Sequence, residues 1–221
     1  MKRAVLGLAL IALTLLGAGS SSAEDFTLTT LAGYKGGAGF RVAGSVGNFA
    51  QGFPLAIELG ITHIRLDPGR ALDVRKIFIN DATNGTPDKS GWIWGFHLDF
   101  LFPVRWLGLQ NAQFYLGVRR SLFTGEFIYV GGNEDFEIIS NQWGVGTGLR
   151  STFPMGRIMG LTLSAGLDYY PNAVLTGHDT SYGPDGDNVN DREGFTFKEA
   201  DSAVNQPKIQ PMLMVGLSFK L

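Results

Sequence analysis

Lys208-Ile-Gln-Pro-Met-Leu-Met-Val-Gly-Leu-Ser-Phe-Lys-Leu221, the last stretch of the chain, decides the fold class. Ile209, Pro211, Leu213, Val215, Leu217, Phe219 and Leu221 share one face; Lys208, Gln210, Met212, Met214, Gly216, Ser218 and Lys220 share the other. A period of two is the signature of a β-strand. The run is longer than the roughly 9–11 residues with which a tilted strand crosses a bilayer, so the alternation predicts a membrane-spanning closing strand.

The other end carries an export pattern. Met1-Lys2-Arg3 is basic, Ala4 to Leu16 is apolar apart from one Thr, and Gly17 to Ala23 is small and polar. That order predicts a signal peptide over residues 1–23 and a mature chain from Glu24. The apolar run is too short for a spanning helix, which needs about 20 residues. Lys2 and Arg3 belong to the leader, which leaves 16 of the 18 basic residues against 20 acidic ones, a mature net charge of about −4. No nucleic-acid footprint exists in such a chain. Cysteine is absent, so neither a disulfide nor a lipidated cysteine is expected.

Period two recurs through residues 24–221 and predicts eight strands. Trp92, Trp94, Phe96, Leu98, Phe100 and Phe102 oppose Ile93, Gly95, His97, Asp99 and Leu101. Leu55, Ile57, Leu59 and Ile61 oppose Ala56, Glu58, Gly60 and Thr62; Phe114, Leu116 and Val118 oppose Gln113, Tyr115, Gly117 and Arg119. Ile139, Trp143, Val145, Leu149 and Phe153 oppose Ser140, Gln142, Gly144, Gly146, Gly148 and Arg150; Leu161, Leu163, Ala165, Leu167 and Tyr169 oppose Thr162, Ser164, Gly166 and Asp168. Phe26–Tyr34 and Phe40–Gly47 complete the set with the terminal strand. Short Pro-containing connections, Asn48–Pro54, Pro103–Leu109 and Pro154–Met159, alternate with longer polar ones, Asp67–Ser90, Thr124–Ile138 and Asn172–Pro207. That is the rhythm of inner turns and outer loops in a membrane barrel; Lys35-Gly36-Gly37-Ala38 is a tight outer hairpin.

Glycine settles which face meets lipid. The polar faces carry Gly60, Gly95, Gly117, Gly144, Gly146, Gly148, Gly166 and Gly216, although glycine weakens a strand. Such a run fits the lumen of a narrow eight-stranded barrel, where side chains compete for space, and the large aromatics opposite fit lipid and its interfacial girdles. The expected fold is all-β, an eight-stranded antiparallel up-and-down transmembrane barrel, rather than a soluble barrel with its apolar face inside.

Signal peptide, eight strands, Pro-containing inner turns and closing strand together resemble the small eight-stranded outer-membrane barrels of Gram-negative bacteria, the group of the OmpA transmembrane domain and OmpX. The resemblance implies residence in the outer membrane, contact with lipid and lipopolysaccharide, and recognition of the final strand by the barrel-assembly machinery. Val215, Leu217 and Phe219 match the assembly pattern, whereas Leu221 stands where such proteins commonly end in an aromatic residue.

Following the faces inward gathers Arg41, Glu58, His97, Asp99, Arg119, Arg150 and Asp168. Charges in a narrow lumen must pair, because an unpaired buried charge is costly, so an ion network plugging the lumen is expected. A narrow path for ions or small solutes is the alternative. His97 and Asp99 are half of a nucleophilic triad, but Ser140 and Ser164 sit on strands that do not neighbour theirs, and no Gly-x-Ser-x-Gly elbow exists. His63, on the outer face, is the candidate for a lipid-modifying enzyme and has no obvious serine partner. No cofactor and no enzymatic activity are expected. Arg70, Arg75 and Lys76 lie where they could meet lipopolysaccharide phosphates. Asp185, Asp187 and Asp191, followed by Glu193, match part of an acid-rich calcium loop, a spacing that solvated turns also produce.

Overall fold

The computed structural model describes residues 25–48, 54–82, 85–105, 108–109, 111–130 and 134–221. The leader expected over 1–23 lies outside them, as do parts of the turns Asn48–Pro54 and Pro103–Leu109. Among the described residues ten strands form: β1 (Asp25–Lys35), β2 (Ala38–Gly47), β3 (Ala56–Leu66), β4 (Thr86–Pro103), β5 (Ala112–Val130), β6 (Glu134–Pro154), β7 (Met159–Tyr169), β8 (Leu175–Gly177), β9 (Thr180–Tyr182) and β10 (Ile209–Lys220). Eight of them, β1 to β7 and β10, close an all-antiparallel barrel in which neighbours in sequence are neighbours in space. β10 makes the closure, pairing Lys220 to Met212 with Thr27 to Lys35 on one side and Ile209 to Phe219 with Tyr169 to Met159 on the other. The alternation expected from the sequence runs through without a slip. The first outer hairpin is tight: Gly36 takes a φ of +64° and the Lys35 N–H donates to the Gly37 carbonyl at 2.8 Å.

Strand length divides the wall in two. β1, β2, β3, β7 and β10 have 10–12 residues, enough to cross a bilayer and little more. β4, β5 and β6 have 18, 19 and 21 and rise beyond the others as a three-stranded screen. Thr124–Ile138 is therefore not a loop, contrary to the sequence expectation; β5 continues to Val130 and β6 starts at Glu134. What changes along these strands is polarity. In the lower wall Leu116, Val118, Trp143 and Val145 face out while Gly117, Arg119, Gly144 and Gly146 face in; in the screen Glu126, Asp135 and Glu137 face out while Phe123, Phe127, Tyr129, Phe136 and Ile138 are buried inside. Period two persists along these strands while the inward face turns apolar and the outward one becomes mixed, Glu126, Asp135 and Glu137 standing among Ile128, Val130 and Ile139.

The buried side of the screen is covered by the other two long connections. Asp67–Ser90 contains helix α1 (Ala71–Phe78) and the start of β4; Asn172–Pro207 contains β8, β9 and helix α2 (Phe197–Ala203). Ala71, Val74, Ile77 and Phe78 recur at helical spacing and pack with Ile64, Ile93, Phe127, Leu175, Tyr182, Ala200 and Val204 in one core. Tyr129 OH donates to the Ala71 carbonyl at 2.5 Å and Tyr182 OH to the Ile77 carbonyl at 3.0 Å. Gly69, at a φ of +138°, bridges to Val204 at a point where an added Cβ would strike the Ala203 carbonyl. Lys89 donates to Asp67 and to the Gly69 carbonyl, each at 2.7 Å. Burial opposes ionisation of Asp67, but the hydrogen bonds from Lys89 and from the Gly69 N–H outweigh it and hold this carboxyl below the usual aspartate range. Above Gly91, β4 has no strand on its β3 side among the described residues; Pro87 and Lys89 on this free edge are residues that discourage pairing with another chain.

Candidate functional site

Inside the lower wall the expected charges meet. Arg119, on β5, donates from Nη1 to Asp99 Oδ1 on β4 at 2.5 Å and from Nε to Asp168 Oδ1 on β7 at 2.9 Å. Arg150, on β6, reaches across the lumen to Glu58 on β3 with two parallel bonds, Nη1 to Oε2 at 2.5 Å and Nη2 to Oε1 at 2.6 Å. This two-pronged geometry is what a planar guanidinium offers and an ammonium does not. Arg41 donates from Nε to Thr62 Oγ1 at 3.2 Å. All of these charged side chains are at most 4% exposed. The network ties six strands together through the space where a pore would run.

Glycine makes room for it. A Cβ on Gly60 would collide with His97, on Gly117 with Asp99, on Gly146 with Asp168 and Arg119, and on Gly148 or Gly166 with the Tyr115 ring. The scarcity of space inferred from the sequence is thus literal, and each of these glycines lies under a specific partner. Below the network a chain of hydroxyls crosses four adjacent strands: Thr29 to Ser218 at 2.9 Å, Ser218 to Thr162 at 2.6 Å and Thr162 to Thr152 at 3.0 Å. Beneath it a vestibule of about 380 Å³ opens at the short-turn end, lined by residues that include Asp25, Ser45, Gln113, Lys220 and, deepest in the wall, Arg150.

Two details differ from the sequence reading. His97 Nε2 lies 3.3 Å from Glu58 Oε1 and 3.9 Å from Asp99 Oδ2, so its hydrogen-bond partner is Glu58 on the neighbouring strand and not Asp99 on its own. Glu58 sits diagonally across from His97, whose direct register partner is Gly60, and the missing side chain there leaves the imidazole room to lean over the neighbouring strand. Lys35 falls in the hairpin on the sequence reading, yet it ends β1 pointing inward, 2% exposed, with Nζ 2.6 Å from Asp168 Oδ2. Continuing the inward positions Thr29, Leu31 and Gly33 by one step reaches it.

Glu58, His97 and Asp99 bring ligand atoms within 4.8 Å of one another, but both Glu58 oxygens and one of Asp99 already serve guanidinium groups, so the trio is committed to ion pairs. Asp185, Asp187 and Asp191 form no comparable group among the described residues; Asp191 instead accepts from Asn188 at 3.0 Å. Of the three basic residues placed near lipopolysaccharide, Arg75 is 4% exposed, ion-paired with Glu134 and stacked 4.4 Å from the Tyr129 ring centroid, so it is a core residue of the cap and not a surface contact. Arg70 and Lys76 are exposed, Arg70 pairing with Asp73 at 2.9 Å. His63 stacks edge-on with Trp94 at 4.6 Å between ring centroids and belongs to an outward aromatic row with Phe40. Ser140 and Ser164 face inward, buried. Val215 and Phe219 face outward from β10, and Leu221, 74% exposed, donates its N–H to the Phe26 carbonyl at 3.0 Å.

A closed eight-stranded antiparallel barrel with an apolar, aromatic-edged exterior and a charged interior defines the class: a small outer-membrane β-barrel protein. Neither a family model nor a curated protein matches the chain. Among solved structures it is similar to a major outer membrane protein from Thermus thermophilus, with a TM-score of 0.71 and 25% identity over 90% of this chain and 100% of that one. Neisserial surface protein A (TM-score 0.38, 13% identity, 90% and 94% coverage) and CarO2 of Acinetobacter baumannii (0.44, 12%, 91% and 100%) align over comparable lengths. The Thermus protein and the barrel itself carry the assignment to this class.

Proposed function

We propose that this protein is a sealed, non-conducting barrel of a Gram-negative outer membrane, exported by its signal peptide, that displays its folded cap to partners outside the cell. One observation carries the reading: Arg119 joins Asp99 and Asp168 inside the lumen with all three side chains at most 1% exposed. A conducting path needs mobile water between such charges. The cap core above them adds a second, apolar seal.

In this reading Arg70 and Lys76 are the basic groups that meet lipopolysaccharide phosphates, and Val215, Leu217, Phe219 and Leu221 are the face presented to the barrel-assembly machinery. A catalytic role finds no support in His63, whose ring is engaged with Trp94. The vestibule under Arg150 is what favours the alternative, a narrow channel. Recording from refolded protein in planar bilayers separates the two. No unitary openings are expected; steady openings whose conductance changes in Arg119→Gln would sink the sealed-barrel reading and establish the channel.

A further inference from the structure

The lumen charges do not balance. Among the described residues the buried cations of the lower wall are Lys35, Arg41, Arg119 and Arg150, and the buried carboxylates are Glu58, Asp99 and Asp168. Arg150 is matched by Glu58, and Arg119 and Lys35 by Asp99 and Asp168. Arg41 is left over. It is 0% exposed, its Nε donates to Thr62, and neither Nη1 nor Nη2 has a hydrogen-bond partner. A guanidinium cannot shed its proton to escape, and a buried charge without a counter-charge is strongly destabilising.

The strand register sets a row of small groups level with it. Arg41 pairs with Thr62, Thr62 with Gly95 and Gly95 with Ser121, one inward-facing row across β2 to β5. Ser121 is 0% exposed and its Oγ, like the Arg41 nitrogens, is unpartnered. Gly95 differs from the other glycines named above: a Cβ there would meet only Thr62, at ordinary contact distances of 3.7 Å. Room is thus found in the row that holds the unmatched guanidinium. Ile93 and Phe123, each 1% exposed, close it from above.

We propose that a small monovalent anion, chloride in size and charge, occupies this row as the counter-ion of Arg41, held by its two Nη groups with the Ser121 hydroxyl donating from across the row. The single surplus positive charge sets the valence. A phosphate or sulfate dianion would add a second negative charge near Asp99 and Asp168 with no cation to match it. The site is independent of the sealed-barrel reading, since bromide at Arg41 in a barrel that conducts would overturn that reading and leave this one standing.

Bromide is the probe. In crystals of the refolded protein grown in sodium bromide, an anomalous peak is expected within hydrogen-bonding reach of the Arg41 Nη atoms; its absence there overturns the proposal without needing any variant. In detergent at constant ionic strength, replacing gluconate by chloride should raise the urea midpoint in proportion to the logarithm of chloride concentration, as for any ligand that binds the folded state alone. Arg41→Gln and Gly95→Leu should lose that dependence, the second by filling the row with Arg41 intact. A chloride response in Gly95→Leu equal to that of the parent protein would also overturn it.

Discussion

Gly146 shows how narrow the interior is at the scale of one atom. It sits between β5 and β7 in register with Asp168, and a Cβ there would enter the space of Asp168 Oδ1 and the Arg119 guanidinium. Gly146→Ala must therefore shift the Arg119 to Asp168 bond or the strand itself, and overpacking of this kind costs about 1–3 kcal/mol. The urea midpoint of refolded protein should fall accordingly, whereas Gly95→Ala, with free space, should change it by no more than about 0.5 kcal/mol. Equal losses at the two positions would mean that glycine serves backbone freedom here rather than room. That glycines mark the lumen was legible in the sequence, because alternation put them on the face of Arg119 and Asp168. Which partner each glycine accommodates was not, since Tyr115 over Gly148 and Gly166 is a contact between strands. The same limit explains His97. Its partner Glu58 lies on the neighbouring strand, diagonal to it in register, and 39 positions away in sequence.

Among the elements, β5 and β6 carry both the success and the failure of the alternation argument. The apolar exterior from Phe114 to Val118 identified a membrane strand correctly. Beyond Arg120 the apolar residues move to the odd, inward positions Phe123, Phe127 and Tyr129, with Glu126 outward; loss of the apolar exterior looked like the end of the strand when it was only the end of the lipid. Helix α1 was hidden for a different reason, since eight residues with four buried apolar positions are too few to stand out within a polar connection. The cap core that these elements form is separable from the barrel. Phe127→Ala removes a fully buried ring that stacks on Phe136 at 5.4 Å, a change that typically costs about 3–5 kcal/mol. Limited proteolysis should then cut within residues 67–90 or 172–207 under conditions that leave the parent protein intact, while the heat-modifiable gel shift of the barrel survives. Loss of that shift would show that cap and wall fold as one unit.

On the sealed-barrel reading the molecule as a whole is a cup rather than a tube. The vestibule opens at the short-turn end, and Gln113 lines it, while Ser121 lies above the ion pairs and below the cap core with no exposed surface. Because the chain contains no cysteine, single cysteines report position cleanly. A membrane-impermeant maleimide added from the turn side should label Gln113→Cys, and the same reagent should label Ser121→Cys from neither side of the membrane. Labelling of Ser121→Cys in the folded barrel would reveal a path around the seals. One ion network thereby spans two environments: Arg150 lines the roof of the well and holds Glu58 behind it, whereas Lys35 and Asp168, at the upper end of the network, are shielded from both sides. A disturbance entering the well would reach the lower pair first and pass upward through His97, which lies between Glu58 and Asp99, before the Arg119 guanidinium hands it on to Asp168 and Lys35.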